Sequence, residues 1–277
     1  MMKLPDLSAP LWFLAATAVL FAVIFGRYLL VAGMFYLVFY FWFPEQWKQR
    51  KISERNYRPG QFRKELYWSC ITAFIFAFAG ACTVLLWQRG LTKVYIDAGA
   101  YSVWWLPLAL IISLALHETY YYWLHRWMHR PRIFRVIHKV HHDSNITSPW
   151  TAFSFHPFEG ILQAIFLPLL LMILPLHLYV VLVQLVIMTL SSVVNHLDIE
   201  VYPKKFHRHF LGRWLIGTGN SNSIMACILL SGINGKKQKV LCLILCSSKR
   251  QTRPCHQKLK KHNDQFFFTR PFARLFH

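Results

Sequence analysis

Three stretches of this chain carry almost no charge, and they limit its folding more than any other feature. From Leu11 to Phe43 only Arg27 is charged; from Tyr67 to Trp87 and from Tyr101 to Leu116 no residue is. A helix spans hydrocarbon because it satisfies its own backbone N–H and C=O groups, and about 20 apolar residues are enough to cross. The first two runs exceed that length, and the third reaches it by continuing into "HETYYYWLH". A fourth apolar region, Ile161 to Val194, is long enough to enter and leave the bilayer, with Pro168, Pro175 and His177 around its middle as the turn. The expected fold is all-α: a multi-pass membrane protein with about four spanning regions. A content of 55% hydrophobic and 17% aromatic residues agrees, being richer than ordinary soluble domains.

The N-terminal "MMKLPDLSAP" places one lysine before a long apolar run. That run is too long for a cleaved signal peptide and lacks a small-residue cleavage site, so it reads as a retained anchor. The six cysteines supply no disulfide framework: Cys70 and Cys82 fall within a span and the others lie beyond residue 226. Orientation follows from the basic residues. The segment "PEQWKQRKISERNYRPGQFRKE" holds Lys48, Arg50, Lys51, Arg55, Arg58, Arg63 and Lys64, against Arg89 and Lys93 in "QRGLTKVYIDAGA". The positive-inside rule puts the first segment in the cytosol. Threading the spans brings Leu124 to Glu159, and then His196, to the same face.

That face collects imidazole. The stretch from His117 to His142 holds six of the fourteen histidines. His125 and His129 are four apart and share a helix face; His138, His141 and His142 stand at i, i+3 and i+4, again one face. Imidazole suits iron, zinc and copper. A single histidine beside a span is more often an interfacial, hydrogen-bonded residue, but five at these spacings point to a metal. His196 ends an apolar helix and suits a ligand arriving from another span. His117 either reaches the same cavity or is an interface residue paired with Glu118. His156 lies in the turn "FSFHPFEG", and His207 and His209 lie among Lys204, Lys205, Arg208 and Arg213, where a solvated basic surface is the default. His177 falls at the far turn, away from the site.

"HRWMH" resembles the first histidine box, His-x3-His, of the membrane-bound fatty acid hydroxylase and sterol desaturase superfamily, and "HKVHH" resembles its second, His-x2-His-His. "SPWTAFSFHPFEG" is similar to the segment after the second box, and "NHLDIEVYPKKFHRHFLGRW" to the approach to the third. The likeness covers roughly residues 67 to 218. It implies a di-iron site, two non-haem irons held by histidines at the cytosolic face, that uses O2 to hydroxylate or desaturate a lipid. Implied ligands are His125, His129, His138, His141, His142 and His196, with His117, His156 and His209 as further candidates. The implied partners are a membrane lipid, O2 and a separate electron donor, cytochrome b5-like or ferredoxin-like, since no flavin or dinucleotide motif is present. Nucleic acid is not expected. The membrane is the endoplasmic reticulum or a bacterial inner membrane.

The family's third box, His-His-x2-His-His followed by text close to "NYGLYFTFWD", is missing after "GRWLIGT". The genetic code offers an explanation for its absence. Ile224 to Val240, "IMACILLSGINGKKQKV", can be encoded so that reading from the third base of each codon gives "YGLYFTFWDKWEETES", the family's expected text. The frame is therefore expected to slip at about Gly219, with the third box lost and residues 219–277 translated out of frame. Those residues hold eleven Lys or Arg against one acid, Asp264, a charge of +10 that is half the formal net of +20. Their attraction for anionic lipid and the Cys242, Cys246, Cys255 and His256 group are discounted accordingly. The expected organisation is an N-terminal anchor and basic loop (1–66), a desaturase-like membrane domain (67–218) and an out-of-frame basic tail (219–277). Without the third box, iron binding is expected to be incomplete and activity absent or nearly so. The alternatives are a non-catalytic paralogue that folds or pairs with an intact relative and, ranked lower, a metal transporter; the histidine clusters lie outside the spans rather than along a path through them.

Overall fold

The computed structural model describes residues 5–53, 57–97, 99–144, 146–199 and 201. The expected frame slip, the tail, His207 and His209 lie outside the described residues. Within them the chain is helical, with strand-like pairing only at two isolated bridges, Lys51 with Ile199 and Tyr95 with His177.

Helix α1 (Pro10–Tyr36) starts on a proline, whose fixed φ suits the first helical position. Its 27 residues extend about 40 Å and continue as a π-helical turn over Leu37–Trp42. Pro44 then ends the run, because the residue before a proline avoids helical geometry; Phe43 sits at φ −127°, ψ 44°. A short α2 (Pro44–Lys48) follows. α3 (Gln61–Gln88) is bounded by Gly60 at φ +79° and Gly90 at φ +71°, both in the left-handed region that glycine enters freely. α4 (Trp105–Met128) stops before Pro131, with Arg130 extended. Three one-turn pieces carry the chain past the histidines: α5 (Pro131–Ile133), a π-helical turn (Phe134–His138) and α6 (Lys139–His142). A 3-10 turn (Pro149–Phe153) leads to α7 (Pro157–Ala164), α8 (Phe166–Ile173) and α9 (Leu178–Asn195).

Among the described residues three helices are long and apolar enough to cross a membrane: Pro10–Trp42, Gln61–Gln88 and Leu178–Asn195; Pro157–Ile173 is a shorter apolar stretch. The chain is an integral membrane protein. The apolar region after residue 160 is a broken hairpin, as its sequence suggests, with one adjustment. Leu174 is extended before Pro175 and the turn ends at His177, whereas Pro168 lies inside the first turn of α8, where no intrahelical bond needs its missing N–H. α4 begins at Trp105, four residues after the apolar run that starts at Tyr101, and it is not among the helices apolar enough to span, because its second half carries His117, Glu118, His125 and Arg126.

α1 packs along α3. Gly80 permits the approach, since a Cβ there would stand 3.2 Å from Leu20 Cδ1, and Ala73, Ala77 and Ala81 are fully buried at four-residue spacing. Leu14, Val19, Leu30, Phe74 and Phe78 remain exposed, as lipid-facing side chains would. The bundle has two distinct ends. At one, the backbone N–H of Leu7 donates to Gln88 Oε1 (3.0 Å) and that of Tyr95 to Leu176 O (3.1 Å). At the other, the basic segment after α1 meets the end of α9: Ile52 N–H donates to Asp198 O (2.9 Å) and Lys64 Nζ pairs with Asp143 (2.9 Å). The basic segment and the histidines therefore share one end.

His177 belongs to the opposite end. Its Nδ1 accepts from Tyr179 N–H (3.1 Å), capping α9, and its Nε2 donates to Ile96 O (2.9 Å). Both ring nitrogens are satisfied, so the residue is a staple. His177→Ala is expected to cost about 1–2 kcal/mol of stability. It should lower the thermal unfolding midpoint in detergent while leaving metal content unchanged.

Candidate metal centre

His125 is in the last turn of α4 and His129 caps it, so one helical turn separates them and their Nε2 atoms come within 3.0 Å. Across from them stands His138, at the end of the π-helical turn; such turns recur at functional sites because they re-aim a side chain. Its ring centroid lies 4.7 Å from that of His125 and 5.0 Å from that of His129. His142 closes the group, 4.6 Å from His138 and 5.0 Å from His129. One nitrogen from each of the four lies within 4.8 Å of the others. His138 is fully buried at the floor, and His129 and His142 are exposed at the rim.

The face expected for His138, His141 and His142 divides. Residues 141 and 142 are about 100° apart around a helix, so while His142 joins the four-histidine group, His141 turns to α9. There its Nε2 is 3.2 Å from Nε2 of His196. Two carbonyls fix the tautomers: His141 Nδ1–H donates to Ser154 O (3.2 Å) and His196 Nδ1–H to Ser192 O (2.7 Å). In the neutral rings both facing Nε2 atoms are then acceptors. Two lone pairs at that distance repel, and a shared cation resolves the conflict.

In the four-histidine group His138 has an unmet nitrogen. His138 Nδ1 lies 2.9 Å from Glu159 Oε2, both side chains fully buried, which leaves a buried Nε2 without a hydrogen-bond partner. A histidine tied to a carboxylate through one nitrogen and open at the other is the usual arrangement of a metal-binding imidazole. Burial holds the His129, His138 and His141 imidazoles below their ordinary titration range, with neighbouring histidine charges adding to the shift at His138 and His141. At neutral pH they present lone pairs rather than protons. The residues present therefore fit a first-row metal held by nitrogen.

Of the other candidates, His117 lies two turns down α4, pairs with Glu118 (Nδ1 to Oε1 3.3 Å) and stacks on Tyr121, whose ring stacks in turn on His125. His156 caps α7, its Nδ1 accepting from Phe158 N–H (3.4 Å), and lies against Trp68. Neither joins the two groups. Two buried acids escaped the sequence reading: Glu159, and Glu65 near the start of α3. Carboxylates this deep demand partners, but their depth is not visible in the sequence.

A family model described as Fatty acid hydroxylase matches residues 110–222. The chain is 30% identical over 110 residues to the Delta(7)-sterol 5(6)-desaturase erg3C of Aspergillus fumigatus, covering 40% of this chain and 34% of that one. It is 26% identical over 196 residues to the lathosterol oxidase of Homo sapiens, covering 70% and 62%. To the Delta(7)-sterol 5(6)-desaturase of Saccharomyces cerevisiae it is 36% identical over 91 residues, covering 32% and 25%. Over residues 110–222 the chain is similar to the fatty acid hydroxylase and sterol desaturase superfamily. It spans between a quarter and about three fifths of the length of these relatives. No solved structure matches it.

Proposed function

We propose that this chain carries the metal-binding half of an O2-dependent lipid oxidase acting on a sterol-type or fatty-acyl-type substrate. Non-haem iron is the proposed metal, with His125, His129, His138 and His142 holding one ion and His141 and His196 contributing to a second. The observation that carries this reading is the convergence of four imidazole nitrogens within 4.8 Å. Iron held there would supply the O2 chemistry that an unactivated C–H bond requires and that no side chain offers.

The chain's own residues do the rest. Glu159 holds the His138 ring so that Nε2 is the free donor. The carbonyls of Ser154 and Ser192 do the same for His141 and His196. The apolar helices below the histidines give a lipid a dry approach, and the exposed His129 and His142 rim is open to the aqueous side, from which a separate electron-donor protein delivers electrons. The basic segment 44–66 at this end puts that face in the cytosol by the positive-inside rule.

The proposal extends to residues 219–277 as out-of-frame text that replaces the third histidine box. The second site is then short of ligands, and the non-catalytic reading of this particular chain is favoured by that missing box. Anaerobic titration with Fe2+, followed by metal analysis, is expected to load about one ion per chain with no detectable sterol or fatty-acid oxidation when a donor is supplied. Two ions per chain together with lipid oxidation would overturn the incomplete-site reading; no saturable binding at all would overturn the metal centre.

A further inference from the structure

Glu65 is fully buried five residues into a helix that continues as a membrane span. Removing a carboxylate from water is costly unless its lone pairs are filled, and here four donors fill them. Gln61 Nε2 (2.8 Å) and Thr151 Oγ1 (2.9 Å) donate to Oε1, while Ser148 Oγ (3.3 Å) and the Tyr57 hydroxyl donate to Oε2. Two of these, from Ser148 and Thr151, tie α3 to one segment, 146–155, and Gln61 adds a third tie by donating from Nε2 to Ile146 O (2.7 Å).

That segment is the common mount of His141 and His196. Its Ser154 carbonyl receives His141 Nδ1–H, and its Ala152 carbonyl receives the hydroxyl of Ser192 (2.9 Å), the residue whose own carbonyl receives His196 Nδ1–H. Neither histidine touches Glu65. We infer that Glu65 is a positioning residue for the His141–His196 pair, acting through segment 146–155 to hold the two Nε2 lone pairs facing each other. The inference rests on the reading of that pair as metal ligands.

The test is site-resolved carbethoxylation of the full-length protein in detergent, read by mass spectrometry at each histidine. Losing one hydrogen bond to a charged group raises the locally opened population by about tenfold or more. Glu65→Gln is expected to raise the modification rates of His141 and His196 together by about tenfold, with His125 and His129 unchanged. Thr151→Val, which removes the hydroxyl that donates to Glu65 and accepts from Ser148 N–H, should move the same two residues and guards against a Glu65 variant that does not fold. A rise at all four histidines would mean general loosening, and no rise at His141 and His196 would mean no coupling; either result overturns the proposal. Zn2+ added to the wild type in large excess, enough to occupy a two-ligand site that stoichiometric metal leaves empty, separates the underlying reading. It should slow modification of His141 and His196, and failure to do so would overturn their role as ligands whatever the Glu65 variant shows.

Discussion

Replacing His138 with alanine is expected to lower metal affinity at the four-histidine group by more than about a hundredfold, because loss of even an outer partner costs about 10–100-fold and this change removes a ligand. The geometry makes His138 the most demanding position of the four. Its Nε2 is buried and unmet, and its Nδ1 is tied to Glu159, so the ring is held ready with no hydrogen bond to lose when a metal arrives. The alanine variant also leaves the Glu159 carboxyl buried with only Gln163 Nε2 at 3.3 Å for company. Burial pushes the Glu159 carboxyl well above its usual range; Glu159→Gln keeps an acceptor for Nδ1–H but replaces the carboxyl partner by an amide, and should fall in the outer-partner range of about 10–100-fold. His117→Ala, on the same helix but outside the group, should not change affinity. Equilibrium dialysis with Zn2+ on the three variants, alongside circular dichroism to establish that helix content is kept, reads the order directly. Equal affinity for wild type and His138→Ala would reduce the group to packing.

That ordering separates what was legible in the sequence from what was not. The i, i+4 pair His125 and His129 and the His138, His141, His142 triplet are local patterns, and helix geometry alone brings each set together. The assignment of His142 and His141 to different groups is also a helical consequence, because adjacent residues point about 100° apart; it becomes visible only once α9 supplies His196 on one side and α4 supplies His125 on the other. The acids were not legible. Glu159 and Glu65 act across 21 and 86 residues on His138 and Thr151, and no short-range period encodes such a contact. The runs Leu11–Phe43 and Tyr67–Trp87 became helices long and apolar enough to span, since length and absence of charge are what hydrocarbon selects, whereas the run from Tyr101 continues into the polar half of α4, which is not among the candidate spans. Their ends were set by chemistry of another kind: Pro44, Pro131 and Pro175 stop helices by acting on the residue before them, while His156, read as a further ligand candidate, and His177, read as lying at the far turn, both cap helices.

Restoring the reading frame is the change expected to have the largest effect. His141 and His196 present two nitrogens to each other, and two ligands fall short of the three or more protein ligands by which catalytic sites usually hold a first-row metal. A His-His-x2-His-His box joined after "GRWLIGT" and followed by the frame-shifted text "YGLYFTFWDKWEETES" adds four imidazoles to the chain. Metal content is then expected to rise from about one to about two ions per chain. Lipid oxidation with an added electron donor should rise from undetectable to turnover on the order of 1 per second or faster, within the range common to enzymes. A matched chain with the same insertion but alanine at the four box histidines isolates the ligands from any gain in folding, and should stay at one ion and no turnover. If the restored chain remains at one ion and inactive, the loss lies elsewhere in the sequence and the frame explanation fails. If the matched alanine chain also gains the second ion, His141 and His196 need no third box, and the metal shortfall has to be traced to the tail itself.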